Sequence, residues 1–538
     1  MMSEGNSNTN TTNADANTYP DIFIGIVSLV GTDIEAVISA LKLAFTEFDY
    51  NVHHIKISSL FKNINNILVT PFLDKAEKEK RKRIENYIKF GNKVREEKES
   101  NDFLARIAIS EILNKRGDKP IYHRNVYIID QLKTVEEIKL LKSVYGKAFF
   151  QISIYSARDK RVTYLAKLKA KAENKRDGTT FRDEAEALVN TDYNEKDKPY
   201  GQKVGKIFQL ADIIISADNV EEHPIKQQVE RFVELLFGSN KYSPNRMEYG
   251  MYMAHSAALR SLDLSRQVGA AVFRETGEIA VLGCNEVPKA GGGTYWADET
   301  YDAREYKRGG DNNDRRKIQL LNEILHILDK DIGDVTSDKK KKLEDSQFMD
   351  ALEYGRIVHA EMNAVTDAAR LGISLKGASL YCTTFPCHMC AKHIIAAGLK
   401  QVIFLEPYPK SLTADMHSDS AKVEGASRKG YEEYPAAHFI HFYGITANRY
   451  AEFFTRGKRK DNGVFQEYKA SEQAPIFAPY EIDREAEIKT ARKFIKKLPL
   501  TAESVGAVTE SSEILLRRAR FWQEVRAGRR PHGRKRNR

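Results

Sequence analysis

The chain has 538 residues, of which 41% are hydrophobic, and carries 85 Lys and Arg against 75 Asp and Glu, a formal net charge of +10. That length is too great for one ordinary domain, so two to four are expected. Only four cysteines, three of them within nine positions, exclude a disulfide scaffold, and no apolar run approaches the roughly 18–20 residues of a membrane span. A reducing, cytoplasmic setting is the expectation.

Residues 1–20 are polar, lack an apolar signal core and read as a disordered tail. The run D-I-F-I-G-I-V-S-L-V at 21–30 reads as a buried strand, followed by V-G-T-D at 30–33 and a helical run at 34–45. The mixed-sign stretch at 75–88 reads as an exposed helix face. Further strands are expected at 126–130, with Asp130 at the tip, at 148–155 and at 211–216, before a helix at 223–237. This strand–glycine loop–helix placement resembles a nucleoside-monophosphate-kinase-like P-loop fold over residues 21–240, a parallel sheet with helices on both faces. The resemblance implies a nucleotide site at Gly25, Gly31, Thr32, Asp33 and Asp130. The residues are not those of a working P-loop. Thr32 stands where the lysine belongs, Asp33 where the magnesium-binding hydroxyl belongs, and Gly25 is one residue out of register. Little kinase or ATPase activity is expected. Either the loop holds a phosphate through backbone N–H groups or the domain is a structural remnant.

From 247 the pattern changes. A helix is expected over M-E-Y-G-M-Y-M-A-H-S-A-A-L-R-S at 247–261, then S-R-Q-V-G-A-A-V-F at 265–273 and V-L-G-C-N-E-V-P-K at 281–289. Residues 291–355 form a charged segment with an amphipathic run at 317–328, which either covers a pocket or binds a partner subunit. Next come V-H-A-E-M-N at 358–363 and F-P-C-H-M-C at 385–390, on a helix–strand–helix–strand order that puts both at helix N-termini. His359, Cys387 and Cys390 supply three zinc ligands and leave a fourth tetrahedral position for water. Zinc lowers the pKa of bound water to about 7, which provides hydroxide to attack an amino-bearing ring carbon. Glu361, two residues past the ligand histidine, is the candidate proton shuttle. A lone C-x-x-C would also suit a structural zinc knuckle or a redox pair. Its pairing with H-x-E, with 27 residues between His359 and Cys387, favours the catalytic reading. Cys284 and Cys382 read as small buried residues, and His388 and His393 as packing or surface histidines.

These motifs make residues 247–410 resemble a deoxycytidylate deaminase of the cytidine-deaminase-like α/β/α fold. The resemblance implies that Asn285 contacts the nucleotide sugar or phosphate. It implies weaker phosphate contacts from Arg260, Ser261, Arg266 and Lys289. The segment 291–355 is an insertion relative to the compact family pattern. Domains are therefore expected at 21–240 and 241–470. Aromatics at 434–456 pack on the core or shape a base pocket, and a basic turn follows at 456–463. Residues 471–538 are expected as a helical extension ending in a basic tail, where Arg526–Arg538 holds seven Lys or Arg and no acid. That tail either binds nucleic-acid phosphates or is a solvated end.

The fusion of a degenerate P-loop domain to such a deaminase resembles the bacterial anti-phage dCTP deaminases over about residues 20–470. That resemblance implies conversion of dCTP and dCMP to deoxyuridine nucleotides, an inhibitory small RNA partner and a defence role; a homo-oligomer is also expected. Three classes stay open: a free-nucleotide deaminase, which is favoured, a cytosine or adenine deaminase acting on polynucleotide, and a silent nucleotide-sensing regulator.

Overall fold

A computed structural model describes residues 19–61, 82–117, 123–195, 198–218, 224–328, 346–351, 353–408, 410–468, 474–477 and 483–496, with isolated positions between 336 and 343. Residues 1–18 of the expected N-terminal tail, the first half of the charged stretch at 75–88 and the basic tail at 526–538 lie outside the described residues. The chain divides into two compact units. One is Met1–Tyr242 with Ala451–Arg538, and the other is Ser243–Tyr450. The segment after 450, expected as the end of the deaminase domain and a separate extension, thus clusters with the N-terminal half.

The first unit is built on strands β1 (Ile22–Ser28), β2 (Asn51–Lys56), β3 (Asn125–Asp130), β4 (Phe149–Tyr155) and β5 (Ile213–Ser216). Their order is β5-β4-β1-β3-β2 and every pairing is parallel. Strand β1 lies between neighbours, and all seven of its residues are buried. Burial on both faces is why this segment reads as a continuous apolar run rather than an alternation. Helices α1 (Glu35–Thr46), α2 (Arg83–Glu97), α3 (Phe103–Arg116), α4 (Val135–Tyr145), α5 (Arg158–Ala172), α6 (Arg182–Tyr193) and α7 (Ile225–Leu236) accompany the sheet. Gly25 sits mid-strand, where a Cβ would come within 2.6 Å of the Phe149 ring. It is a packing glycine rather than part of a phosphate loop.

A buried ionic network ties the late segment to this sheet. Arg116, at the end of α3, donates from Nε to Asp21 at 3.1 Å and from Nη1 to Glu487 at 2.6 Å. All three side chains are fully buried. The backbone and side-chain N–H groups of Asn125 both donate to Asp21, and the Tyr145 hydroxyl donates to Glu487 at 3.0 Å. All four carboxylate oxygens of Asp21 and Glu487 are thereby paired, while Arg116 Nη2 is buried without a partner among the described residues.

The second unit holds β6 (Gly269–Phe273), β7 (Ile279–Cys284), β8 (Ser379–Thr384), β9 (Gln401–Glu406), β10 (Ala421–Val423) and β11 (Ala437–His441). The order is β10-β11-β9-β8-β6-β7, parallel except that β6 is antiparallel to both its neighbours. Helices α8 (Arg246–Ala258), α9 (Asn312–Ile327), α10 (Ala360–Arg370) and α11 (His388–Ala396) belong to this unit. Asn245 starts α8 with a reciprocal cap, accepting from the Glu248 N–H while its own N–H donates to the Glu248 carboxylate. Two glycines set the helix–sheet distance. A Cβ at Gly269 would meet Ala254 O of α8 at 1.9 Å, and one at Gly283 would meet Ala360 O of α10 at 2.2 Å.

Helix α12 (Arg484–Lys496) carries Glu487. Replacing Glu487 by Ala leaves Arg116 buried with one partner fewer, a change that typically costs about 3–5 kcal/mol. The urea midpoint of the first unit, followed by hydrogen exchange of β1 and β3 amides, should fall accordingly. An unchanged midpoint would mean the network adds no stability.

Candidate metal centre and its cavity

His359 occupies the cap position of α10 and Cys387 that of α11. Both have extended backbones, and neither side chain caps its own helix. The cap position is usually filled by a short polar side chain that bonds the first turn. Here those two side chains turn to each other. Cys387 Sγ and Cys390 Sγ each lie 3.4 Å from His359 Nδ1, and all three donor atoms fall within 4.8 Å of one another. Donors held at about 2.0 and 2.3 Å from one tetrahedral ion are about 3.5 Å apart, so the set fits a single zinc ion. Among the described residues this is the His/Cys/Asp/Glu group able to hold a metal. His388 and His393 are not in it, and His393 Nδ1 pairs with Met389 O instead.

The three donors share protons among themselves, and the hydrogen bond to Cys387, with burial, holds the Cys390 thiol well above its ordinary value. The neighbouring Cys390 thiol, and then His359, pull the Cys387 thiol down to about 4, while the hydrogen bond to Cys387 raises His359 to about 9. A thiolate at neutral pH is the form that ligates metal. Glu361 lies in the first turn of α10 and is buried. Burial pushes its carboxyl up, with His359 opposing. A raised carboxyl pKa suits a group that both takes and returns a proton. Cys284 and Cys382 are buried and outside the ligand group. Burial, and then the neighbouring Glu361, push the Cys382 thiol up, a neighbour that its mid-strand position did not reveal.

A cavity of about 220 Å³ opens onto His359, Glu361 and Cys387. Asn285 and Arg266 line it, whereas Arg260, Ser261 and Lys289 do not. The Asn285 amide is used on both sides. Its Oδ1 accepts from the Val268 N–H at 2.7 Å, and its Nδ2 donates to Asp263 at 2.7 Å and to Arg266 O at 2.8 Å. It therefore holds the 263–268 turn against the cavity. Arg266 lies 3.5 Å from Glu406 and over the Tyr408 ring, and remains partly exposed. Arg260 instead donates to Thr294 and Tyr295 and stacks on Trp296 at 3.6 Å. Ser261 is buried and accepts from the Asp263 N–H, and Lys289 is paired with Glu299. The insertion does reach the pocket: Glu305, Asp311, Asn313, Asp314 and Lys317 form part of its wall. Asp263, Thr384 and Tyr408 line it too. The Asx turn at Asp263, whose Oδ1 accepts from the Ser265 N–H, is the one sequence signal for any of them.

The glycine loop of the first unit is arranged differently from a phosphate cradle. Gly31 has φ +87° in a turn closed by the Thr32 N–H on Leu29 O. The Val30 N–H donates to Asp192 at 2.7 Å, and Lys133 Nζ donates to the same carboxylate at 2.8 Å. An internal anion thus occupies the groups that would meet a phosphate. Asp33 accepts from the Glu35 N–H, and Asp130 is buried 3.6 Å from His54.

Residues 244–406 match the family model described as "Cytidine and deoxycytidylate deaminase zinc-binding region". The chain therefore carries a zinc-binding deaminase region that contains the His359/Cys387/Cys390 group. A deoxycytidylate deaminase of Enterobacteria phage T2 is 46% identical over 54 residues, 10% of this chain and 29% of that protein. ComE operon protein 2 of Bacillus subtilis is 45% identical over 53 residues, 10% of this chain and 28% of that protein. A deoxycytidylate deaminase of Mus musculus is 28% identical over 179 residues, 33% of this chain and 70% of that protein. The chain thus spans under a third of the length of the phage and Bacillus relatives.

Two substitutions test this centre. Cys387→Ser should lose zinc, because a hydroxyl does not replace the thiolate; metal analysis showing full zinc occupancy would reject the ligand assignment. Gly283→Ala should displace the start of α10, at the 1–3 kcal/mol typical of an overpacked core. The readout is lowered zinc occupancy with a lowered melting temperature, and full retention of both would show that α10 tolerates the shift.

Proposed function

We propose that this chain hydrolytically deaminates free deoxycytidine nucleotides, with dCMP or dCTP giving the deoxyuridine nucleotide and ammonia. The observation that carries the reading is a buried carboxylate, Glu361, beside a three-donor zinc group at the floor of one cavity. The chemistry that zinc supplies in such a site is a nucleophile made from water near neutral pH. His359, Cys387 and Cys390 would hold the ion. Glu361 takes a proton from the attacking water and delivers it to the ring nitrogen, then takes the remaining hydroxyl proton as the carbonyl forms and hands it to the amine, which leaves as ammonia. The buried floor keeps competing water away from the carboxylate, and Phe385 and Tyr408 offer aromatic faces to the base.

Free nucleotide is favoured over polynucleotide by the deoxycytidylate deaminases among the relatives; the charges on the cavity wall are largely paired, Glu305 with Arg356 and Asp314 with Lys317, and do not discriminate. Arg266, the more exposed of the two arginines on the lining, suits a terminal phosphate. The deoxycytidylate deaminases among the relatives support the substrate class. Extension to dCTP, and to nucleotide depletion during phage infection, rests on the sequence resemblance alone.

The decisive assay incubates purified chain with dCMP, dCTP, cytidine and cytosine-bearing single-stranded DNA and follows uracil products. Turnover of a deoxycytidine nucleotide is expected. Product from the DNA alone would transfer the activity to polynucleotide, and no product from any substrate would leave a regulator. Glu361→Ala should keep its zinc and lose at least about a hundredfold in turnover. Near-parental turnover in that variant would assign the proton transfers to another group.

A further inference from the structure

The first unit contains a second cavity, of about 300 Å³, which the deaminase chemistry does not use. It lies at the carboxyl ends of three adjacent strands. Ser28 ends β1, Lys56 ends β2, and Gln131 follows β3, and all three line it. Crevices beyond the carboxyl ends of parallel strands are where open α/β sheets bind ligands. The volume reaches the range of about 300–1,000 Å³ typical of small-molecule sites.

The walls say what fits. Phe61, Tyr87 and Tyr164 bring aromatic rings, and Ile84, Ile88 and Leu104 add apolar surface. Charge on the lining is balanced: Lys56, Arg95 and Lys133 stand against Asp33, Glu35 and Asp192. Two of those cations already have ion-pair partners, although the buried Nε of Arg95 has none among the described residues. Arg95 is 1% exposed and pairs with Glu137, while Lys133 donates to Asp192 and to Ser28 O. Thr32 Oγ1 and Gln202 Oε1 are buried on lining residues and have no hydrogen-bond partner among the described residues. Such atoms ordinarily find one.

A separate observation indicates that the space is kept open. Gly91 lies in the middle of α2 and lines the cavity. A Cβ there would meet nothing nearer than 3.7 Å, so a side chain has room. A mid-helix glycine destabilises by roughly 0.5–1 kcal/mol relative to alanine. Its backbone conformation is one that any residue adopts, so turn geometry does not require it.

We propose that this cavity is a second ligand site, for an uncharged heteroaromatic molecule of the nucleoside class, and that Asp192 keeps phosphorylated forms out. The rings stack on the base, and the unpartnered Thr32 and Gln202 atoms accept or donate at its polar edge. A phosphate would have to displace the Asp192 carboxylate from the Val30 N–H and Lys133, and would meet Asp33 and Glu35 beside it. The proposal does not rest on deamination.

The test uses the full chain with thymidine, 2′-deoxyuridine, guanosine and adenosine, each against its 5′-monophosphate, by titration calorimetry. At least one nucleoside should bind the parent and Gly91→Ala alike. It should bind at least tenfold more weakly to Gly91→Leu, whose side chain fills the cavity, and to Tyr164→Ala, a partly exposed position that folding tolerates. Its monophosphate should bind the parent at least tenfold more weakly than the nucleoside. Melting temperatures establish that each variant is folded. The proposal is overturned if no nucleoside binds at millimolar concentration, or if Gly91→Leu and Tyr164→Ala bind like the parent. A tighter monophosphate that the same variants abolish would keep the cavity as a site and overturn the neutral ligand.

Discussion

The deaminase centre depends on one close approach, the backbone of β7 against the backbone of α10. Any side chain at residue 283 would run into Ala360 O. That contact fixes the start of α10, and the start of α10 is where His359 and Glu361 sit. The same strand continues into Cys284, whose N–H donates to Asn363 in α10, and into Asn285, which pins the turn at 263–268. A single missing Cβ therefore sets His359, Glu361 and one wall of the cavity together.

The second ligand pair follows the same logic from another strand. Strand β8 delivers Phe385 and Pro386, and the Phe385 N–H is held by Glu406 O of β9. Cys387 then begins α11 and Cys390 completes its first turn. Two helix N-termini converge on the cluster, and their positive ends favour the thiolate. Nothing in this arrangement calls on the first unit, whose own loop has an internal carboxylate where an anion would rest.

The parts legible in the sequence are those whose cause is local. H-x-E and P-C-x-x-C were readable because each motif lies on one helix start, and the strand at 22–28 because burial on both faces writes a continuous apolar run. The parts that were not readable depend on distant partners. Arg260 looks like a phosphate ligand until Thr294 and Trp296 claim it, and Lys289 until Glu299 does. Asn285 lines the cavity, yet its amide is spent on Val268 and Asp263. Asp192 offers no motif at all, since it is 162 residues from the Val30 N–H that it accepts from. The insertion's contribution was open because an amphipathic run reveals that a helix has a buried side, not what that side meets.

The separation of these partners along the chain has a consequence for how the second unit comes together. His359 meets Cys387 and Cys390 across only 28 and 31 residues, whereas the cavity gathers its walls from Asp263 to Tyr408. Loop-closure entropy grows with the logarithm of the separation, and distant contacts form more slowly than near ones. The ligand cluster is thus a low-contact-order structure set inside a high-contact-order one. During synthesis its three residues emerge close together, after the insertion and before β9, and among the described residues Tyr408 is the one residue of the cavity wall that follows them.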